Sequence, residues 1–223
     1  MTQDNHEFPA AVSKHVPAAK PNVTGERRTI PHEELMQLPI VRYRGAIHFI
    51  ETEDQLHRAL QEIRSEHVVG FDTETRPTFR KGQFHAPSLV QVATGHAVHL
   101  FQLARLDCSH ALAEVFGNAQ IIKAGVALAR DLSELQKLFP FKTENVVDLG
   151  DIAKHRGMAQ TGLRNLTGLF LGGRITKGPQ TSNWSQPTLS PKQQLYAATD
   201  AWACRELYLR FESLGWLPAS QHP

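Results

Sequence analysis

The segment VVGFDTET, residues 68–75, is a hydrophobic run that leads directly into two closely spaced acids. Its apolar start predicts a strand buried in the middle of a sheet. Residues two positions apart in a strand share a face and lie only about 6–7 Å apart. Asp72 and Glu74 therefore point the same way, and carboxylates this close repel each other and raise each other's pKa. Either the strand ends in solvent, or the two acids share a positively charged partner.

The composition is that of an ordinary globular protein. Of the 223 residues, 41% are hydrophobic and 21% are charged. The net charge of +2 permits nucleic acid as a partner but does not by itself indicate one. No apolar run approaches the ~20 residues that span a membrane, and the N-terminus lacks the apolar core of a signal peptide. Cys108 and Cys204 are isolated, so they indicate neither a zinc motif nor a disulfide framework. We expect a cytoplasmic protein without a membrane partner.

The distribution of prolines and hydrophobic residues predicts one domain between two tails. Five prolines punctuate the polar residues 1–40, which we interpret as a flexible tail with one helical turn near its end. The pattern becomes dense after this segment. We expect the folded domain at 41–216 and a short C-terminal tail at 217–223.

The periodicity within the domain predicts an α/β fold with a mixed central sheet flanked by helices. Strands are predicted at 46–50, 68–74, 88–94, 96–101, 120–125 and 145–149. Helices are predicted at 52–65, 110–116, 127–139, 162–172 and from 191 to about 214. Thr94 and Gly95 are typical of a hairpin turn, and Ser190 and Pro191 of a helix start. We expect a three-strand antiparallel meander followed by strand–helix alternation.

Two further acids take helix positions that should face the core. Asp131 shares one stripe with three leucines, Leu128, Leu135 and Leu138. Asp200 lies on the apolar arc of the last helix, and Tyr196 is its neighbour one turn earlier. For Asp131 alone, interaction with the helix dipole is an equally good explanation.

Four acids at buried positions call for a shared cation, because burying an unpaired carboxylate costs several kcal/mol. No arginine shares the stripe of Asp131 or of Asp200. Carboxylate oxygens without histidine or cysteine select Mg²⁺ or Mn²⁺ over zinc. Two such ions about 3.5–4 Å apart serve in-line attack on a phosphodiester. The residues themselves therefore predict two-metal phosphodiester hydrolysis.

Three motifs give the sequence a resemblance to the DEDD exonuclease superfamily. They are FDTET at 71–75, GVALARDLSEL at 125–135 and YAATD at 196–200. Because Tyr196 lies four residues before Asp200, the third motif resembles that of the tyrosine branch. This branch includes ribonuclease D and the Werner-type exonuclease domain. The segment SNW at 182–184 resembles these two groups as well. The resemblance implies a ribonuclease-H-like fold and removal of nucleotides from 3′ ends with two ions, Mg²⁺ or Mn²⁺.

The resemblance also implies a role for each motif residue. Asp72, Glu74 and Asp200 would ligate the tighter metal ion, Asp72 would bridge to the second, and Asp131 would support that second ion through water. Tyr196 would orient the attacking water. We expect single-stranded or recessed 3′ ends as substrates, with a slight preference for DNA over RNA. Ribonuclease D-like RNA 3′-end processing, a non-catalytic nucleic-acid-binding module and an enzyme acting on small nucleotides are the alternatives.

Several residues outside the motifs are candidates for substrate contact. The loop 75–87 carries three cations that we expect to contact backbone phosphates, Arg76, Arg80 and Lys81. Phe79 or Phe84 of the same loop is a candidate to pack on a base, and a solvated basic loop is the alternative. Trp184 is either a base platform or buried beneath the last helix. Arg174 and Lys177 belong to a second loop that is a candidate for phosphate contact.

Overall fold

The fold is taken from a computed structural model, which describes residues 28–78 and 85–217. The elements in chain order are α1 (His32–Gln37), β1 (Ala46–Ile50), α2 (Glu53–Arg64), β2 (Val68–Thr75), β3 (Pro87–Ala93), β4 (Ala97–Gln102), α3 (Ser109–Gly117), β5 (Ile122–Gly125), α4 (Leu128–Leu138), β6 (Val146–Asp148), α5 (Leu149–His155), α6 (Leu163–Leu171), a 3₁₀ helix (Gly178–Thr181) and α7 (Pro191–Ser213). Most of the two predicted tails lies outside the described residues, as do Phe79, Arg80, Lys81 and Phe84.

The described strands form one mixed sheet in the order β1-β4-β3-β2-β5-β6. Strands β2, β3 and β4 pair antiparallel, so the predicted meander is confirmed. Strand β1 adds in parallel to β4, and β5 and β6 add in parallel beyond β2. At the predicted hairpin, the backbone N–H of Thr94 donates to the carbonyl of Ala97 at 2.9 Å. Strand β2 therefore has neighbours on both sides, as its hydrophobic start predicts.

The two faces of β2 carry different residues because side chains alternate along a strand. Val69 and Phe71 pack into a core with α2, α3 and α4 on one face. Gly70, Asp72 and Glu74 belong to the opposite face, which α7 covers. The alternation places both acids of the opening segment on the side of the sheet where α7 carries its own acid.

The position of α7 is fixed by its first turn. Ser190 and Gln193 form a capping box, in which the Ser190 hydroxyl accepts from the Gln193 backbone N–H at 3.3 Å. Pro191 occupies the first turn, where its missing N–H is harmless. The helix thus begins where the sequence predicts, and this start sets which residues face the sheet one and two turns later.

Strand β2 and helix α7 approach each other closely at Gly70. A Cβ atom at this position would lie 2.0 Å from the Ala201 carbonyl oxygen and 2.7 Å from the Arg205 backbone nitrogen. Gly70→Ala therefore must push the helix away from the strand, and overpacking of this kind typically costs 1–3 kcal/mol, so we expect a loss of about 2 kcal/mol. Urea unfolding measures it. Gly117→Ala is the matched control, because its Cβ would meet only an ordinary contact at 3.5 Å, and an equal loss in both variants would contradict the argument.

The part of the predicted N-terminal tail that the structure describes packs onto the domain. Ile30 and Leu35 are both only 3% exposed, in a core shared with α6 and α7. Backbone hydrogen bonds tie this segment to the 174 region, from Val41 N–H to the Arg174 carbonyl at 3.0 Å and from Arg174 N–H to the Pro39 carbonyl at 2.9 Å. Among the described helices, none has the length and hydrophobicity that crossing a membrane requires.

The predicted leucine stripe of α4 is wrong at its end. Leu138 is 48% exposed, whereas Leu128, Leu132 and Leu135 are buried. The buried line of the helix drifts by one position relative to the predicted stripe and runs from Leu132 and Leu135 to Phe139, which passes Leu138 by. Asp131 consequently lies at the edge of the buried face and is partly buried.

Candidate active site

Three carboxylates from β2 and α7 converge on one another. Asp72, Glu74 and Asp200 each offer an oxygen atom, and these atoms all lie within 4.8 Å of one another. Glu74 is 7% and Asp200 6% exposed, and Asp72 is partly buried. The alternative of a strand that ends in solvent is therefore excluded. Since side chains of one strand and one helix meet here, the close approach at Gly70 determines how near the acids come.

Asp131 lies beside this cluster of three. Its charge contributes to the raised pKa of both Asp72 and Glu74, which places it near them, although it does not share their close spacing. Burial raises the pKa of Asp131 itself, while the neighbouring Thr73 side chain and the charge of Arg130 oppose the rise. The structure thus brings all four predicted acids to one region, with three in close contact and the fourth at the edge.

Asp148 positions this fourth acid, and the sequence analysis did not identify it. Its Oδ2 accepts from the backbone N–H of Leu128 at 2.9 Å, and its Oδ1 accepts from that of Gly150 at 2.9 Å. One carboxylate therefore caps the starts of α4 and α5 together. The cap of α5 has a local signal, an acid between a strand and the start of a helix. The cap of α4 has none, because Asp148 and Leu128 are distant in sequence.

The electrostatics of the cluster favour protons unless a cation is present. Burial, followed by repulsion from Asp200 and Asp131, holds the pKa of Asp72 well above its usual range. Burial and repulsion from the other three acids raise the pKa of Glu74 to about 10. Burial raises the pKa of Asp200 to about 7, and a hydrogen bond with Tyr196 opposes that rise. Among the described residues, no ion pair joins a positively charged side chain to any of these three acids.

The cluster fits a divalent cation. All of its donors are carboxylate oxygens, the ligands that Mg²⁺ and Mn²⁺ prefer. In addition, Oδ1 of Asp200 is buried and has no hydrogen-bond partner among the described residues. A buried acceptor without a partner is unfavourable by about 1–3 kcal/mol, and coordination of a cation removes that penalty.

Tyr196 lies one turn before Asp200 and faces the same cleft. Burial and then the charges of Asp200 and Glu74 raise the pKa of its phenol above the usual value. The hydroxyl is therefore protonated throughout the physiological range and acts as a hydrogen-bond donor, not as a base. Its ring lies against Trp184, with centroids 6.1 Å apart and planes inclined by 39°.

The cleft has a volume of about 360 Å³ and is bounded by β2, α6, α7 and the 3₁₀ helix. Its walls include the cluster of acids and Tyr196, together with Val126, Gly162, Leu163, Arg164, Asn165, Ile175, Thr176, Lys177, Gln180 and Cys204. A cleft that joins buried acids to exposed polar groups is a common form of active site.

A family model described as a 3′-5′ exonuclease matches residues 47–216. The chain belongs to this exonuclease family. The mouse bifunctional 3′-5′ exonuclease/ATP-dependent helicase WRN is 33% identical over 154 residues, 66% of this chain and 11% of the relative. Ribonuclease D of Escherichia coli is 24% identical over 178 residues, 77% of this chain and 46% of the relative. The chain therefore matches less than half the length of either relative.

The fold of the chain is also similar to that of a solved exonuclease domain. The crystal structure of the Nibbler exonuclease domain from Aedes aegypti has a TM-score of 0.70 and 26% identity, and the match covers 78% of this chain and 91% of that chain. The predicted ribonuclease-H-like α/β fold is confirmed, and so is the resemblance to the DEDD exonucleases. The cluster of carboxylates fits the use of divalent metal ions that this family implies.

The candidates for substrate contact in this exonuclease have different outcomes. Trp184 is 0% exposed beneath α7 and the sheet, so the base platform is wrong and the alternative, burial beneath the last helix, is confirmed. Arg76 is exposed just beyond the end of β2. Arg174 donates from Nε to the Leu38 carbonyl at 3.2 Å and so holds the N-terminal segment. Lys177 lies in the wall of the cleft.

Proposed function

We propose that the chain hydrolyses nucleic acid from the 3′ end with two divalent cations and prefers single-stranded or recessed DNA ends. The observation that supports this most directly is the convergence of Asp72, Glu74 and Asp200 in a cleft that also contains Tyr196. Mutually repelling carboxylates in a cleft are typical of functional sites. The family match supports the 3′ to 5′ direction.

The chain's own residues hold the ions and orient the reactants. Asp72, Glu74 and Asp200 would hold the tighter cation, and Asp72 and Asp131 would help to hold a second one. When bound, Mg²⁺ or Mn²⁺ neutralises charge on the phosphodiester and acidifies water. The cleft brings the scissile bond to the acids, and the buried position of Glu74 and Asp200 excludes bulk water from their side of it.

Tyr196 orients the attacking water in this proposal. The phenol is one turn from Asp200 and keeps its proton, so it donates a hydrogen bond and does not abstract a proton. We expect Tyr196→Phe to lower kcat about 100-fold, the usual result of a lost positioning contact. KM and the metal-induced rise in Tm should change little. Steady-state kinetics at saturating Mn²⁺ measure both constants, and unchanged kcat would remove this role.

The proposed reaction is tested with 5′-labelled single-stranded DNA, single-stranded RNA and a recessed duplex, each in Mg²⁺, Mn²⁺ or EDTA. The expected result is a ladder of products shortened from the 3′ end in either metal and none in EDTA. The Asp72→Ala variant should give no ladder. Internal cleavage, or equal products from Asp72→Ala, would contradict the proposal, and binding without any cleavage would support the non-catalytic alternative.

RNA 3′-end processing is the second candidate function. One relative of the chain is a ribonuclease D, and this similarity supports an RNA substrate. Another relative is the WRN exonuclease/helicase. A protein separates RNA from DNA by its contacts to the 2′-position of the sugar. In the same assay, a higher kcat/KM on RNA than on DNA of equal sequence would assign the chain to this second function.

A further inference from the structure

One wall of the cleft is basic, and the reaction proposed above does not use it. We call Arg164 and Lys177 the basic wall, and both line the same cleft as Asp72 and Asp200. Arg164 is the second residue of α6, and Lys177 directly precedes the 3₁₀ helix. Two separate elements thus bring positive charge to a cleft whose floor is negative.

Arg164 has poor hydrogen-bond partners for a cation. Among the described residues, its Nη2 donates to the thioether sulfur of Met36 at 3.1 Å, and a thioether is a weak acceptor. Its Nε is buried and has no partner in the described part of the chain. Arginine does not lose its proton in proteins, so a buried donor of this kind is satisfied only by an acceptor that arrives from outside. Phosphate is the acceptor that a guanidinium fork fits best.

The basic wall does not serve to neutralise the acids. In the described ranges, no ion pair joins Arg164 or Lys177 to any carboxylate. Burial is the largest cause of the raised pKa values of Asp72 and Glu74, and repulsion between the acids comes next. The wall therefore lies inside the same cleft without pairing with the acids that would hold the scissile phosphodiester. A nucleic-acid strand that contacts the acids with one phosphate and the basic wall with another must carry at least two phosphates.

We propose that the basic wall binds the phosphate one nucleotide to the 5′ side of the scissile phosphodiester. This proposal rests on the proposed function, because that function defines which phosphodiester is scissile. Arg164 makes the directional contact through its guanidinium, and Lys177 adds a point charge at the exposed rim. A strand that lacks this second phosphate loses the contact and binds more weakly.

The test compares two dinucleotides that differ only in this phosphate, pTpT with a 5′-phosphate and TpT without it. For the native protein, kcat/KM on pTpT should exceed that on TpT roughly ten- to hundredfold, as expected for a charge-assisted contact. In the double variant Arg164→Gln/Lys177→Gln this ratio should fall to about 1. Arg58→Gln/Lys154→Gln is the matched control, because both residues are exposed and neither lines the cleft, so its ratio should be that of the native protein.

Two outcomes overturn the proposal. One is an unchanged ratio of kcat/KM on pTpT to that on TpT in the double variant, and the other is a ratio near 1 in the native protein. A general loss of activity on both dinucleotides with the ratio preserved counts as the first of these. Binding of the same dinucleotides in Ca²⁺, measured by calorimetry, separates this proposal from the proposed function. If the native protein cleaves neither dinucleotide and also gives no ladder from the 5′-labelled strands, the proposed function fails. A preference for pTpT in binding that Arg164→Gln/Lys177→Gln removes would still establish the phosphate site, and equal binding by both proteins would refute it.

Discussion

Asp72→Asn is expected to abolish exonuclease activity and, in the metal-free protein, to raise the melting temperature. The amide keeps the shape of the carboxylate but removes the charge that would hold the cations. Loss of one electrostatic group that stabilises a transition state costs about 10²–10³ in kcat. Because Asp72 is central to the cluster, the reduction should be at least about 10³-fold. Shortening of a 5′-labelled oligonucleotide in Mn²⁺ measures it.

The expected rise in melting temperature distinguishes a metal site from a structural cluster. Without a cation, burial and then repulsion from Asp200 and Asp131 penalise the charged form of Asp72, so a neutral replacement removes this penalty and stabilises the fold. If the carboxylate instead served as a structural hydrogen-bond acceptor, Asp72→Asn would lower the melting temperature in EDTA. Asp151→Asn is the control, since Asp151 is exposed on α5 and outside the cleft. Full activity in Asp72→Asn, or destabilisation in EDTA, would contradict the assignment.

The elements predicted from the sequence are those whose signals lie within a few residues. Ser190 and Pro191 mark the start of α7, and the turn at Thr94 joins β3 to β4. A cap or a tight turn depends on groups that are neighbours in the chain, so its signal survives without knowledge of the fold. Burial of Asp72 and Asp200 was predictable for a related reason, because each acid breaks an apolar pattern that is itself local.

The features that could not be predicted depend on contacts between distant segments. Strand β1 lies beside β4 in parallel, and no local pattern specifies that pairing. Leu35 belongs to a segment that looks like a tail, and only the surfaces of α6 and α7 explain its burial. Arg164 lies in an otherwise ordinary amphipathic helix, so its place in the cleft becomes visible only when α6 packs beside β2 and α7.

Removal of divalent cations is expected to make the stability of the protein fall as the pH rises from 6 to 8. In the folded protein the pKa of Glu74 is about 10 and that of Asp200 about 7, whereas both groups have values near 4 when unfolded. Between about pH 5 and these folded values, the folded state binds more protons than the unfolded state. The free energy of unfolding therefore decreases with rising pH in this window, and below about pH 4 the penalty is absent.

The size of this effect makes it easy to measure by thermal unfolding in EDTA. One group that is protonated when folded and ionised when unfolded contributes about 1.4 kcal/mol per pH unit. Glu74 alone thus lowers stability by about 3 kcal/mol between pH 6 and 8, or roughly 6–12 °C in Tm for a domain of this size. Saturating Mn²⁺ binds the ionised carboxylates, so the gap in Tm between Mn²⁺ and EDTA should widen over the same range. Glu74→Gln should flatten the slope in EDTA, whereas Glu212→Gln, at an exposed position near the end of α7, should leave it as it is. A flat or rising Tm in EDTA between pH 6 and 8 would show that these acids ionise freely in the fold, and that no cation is needed to keep them together.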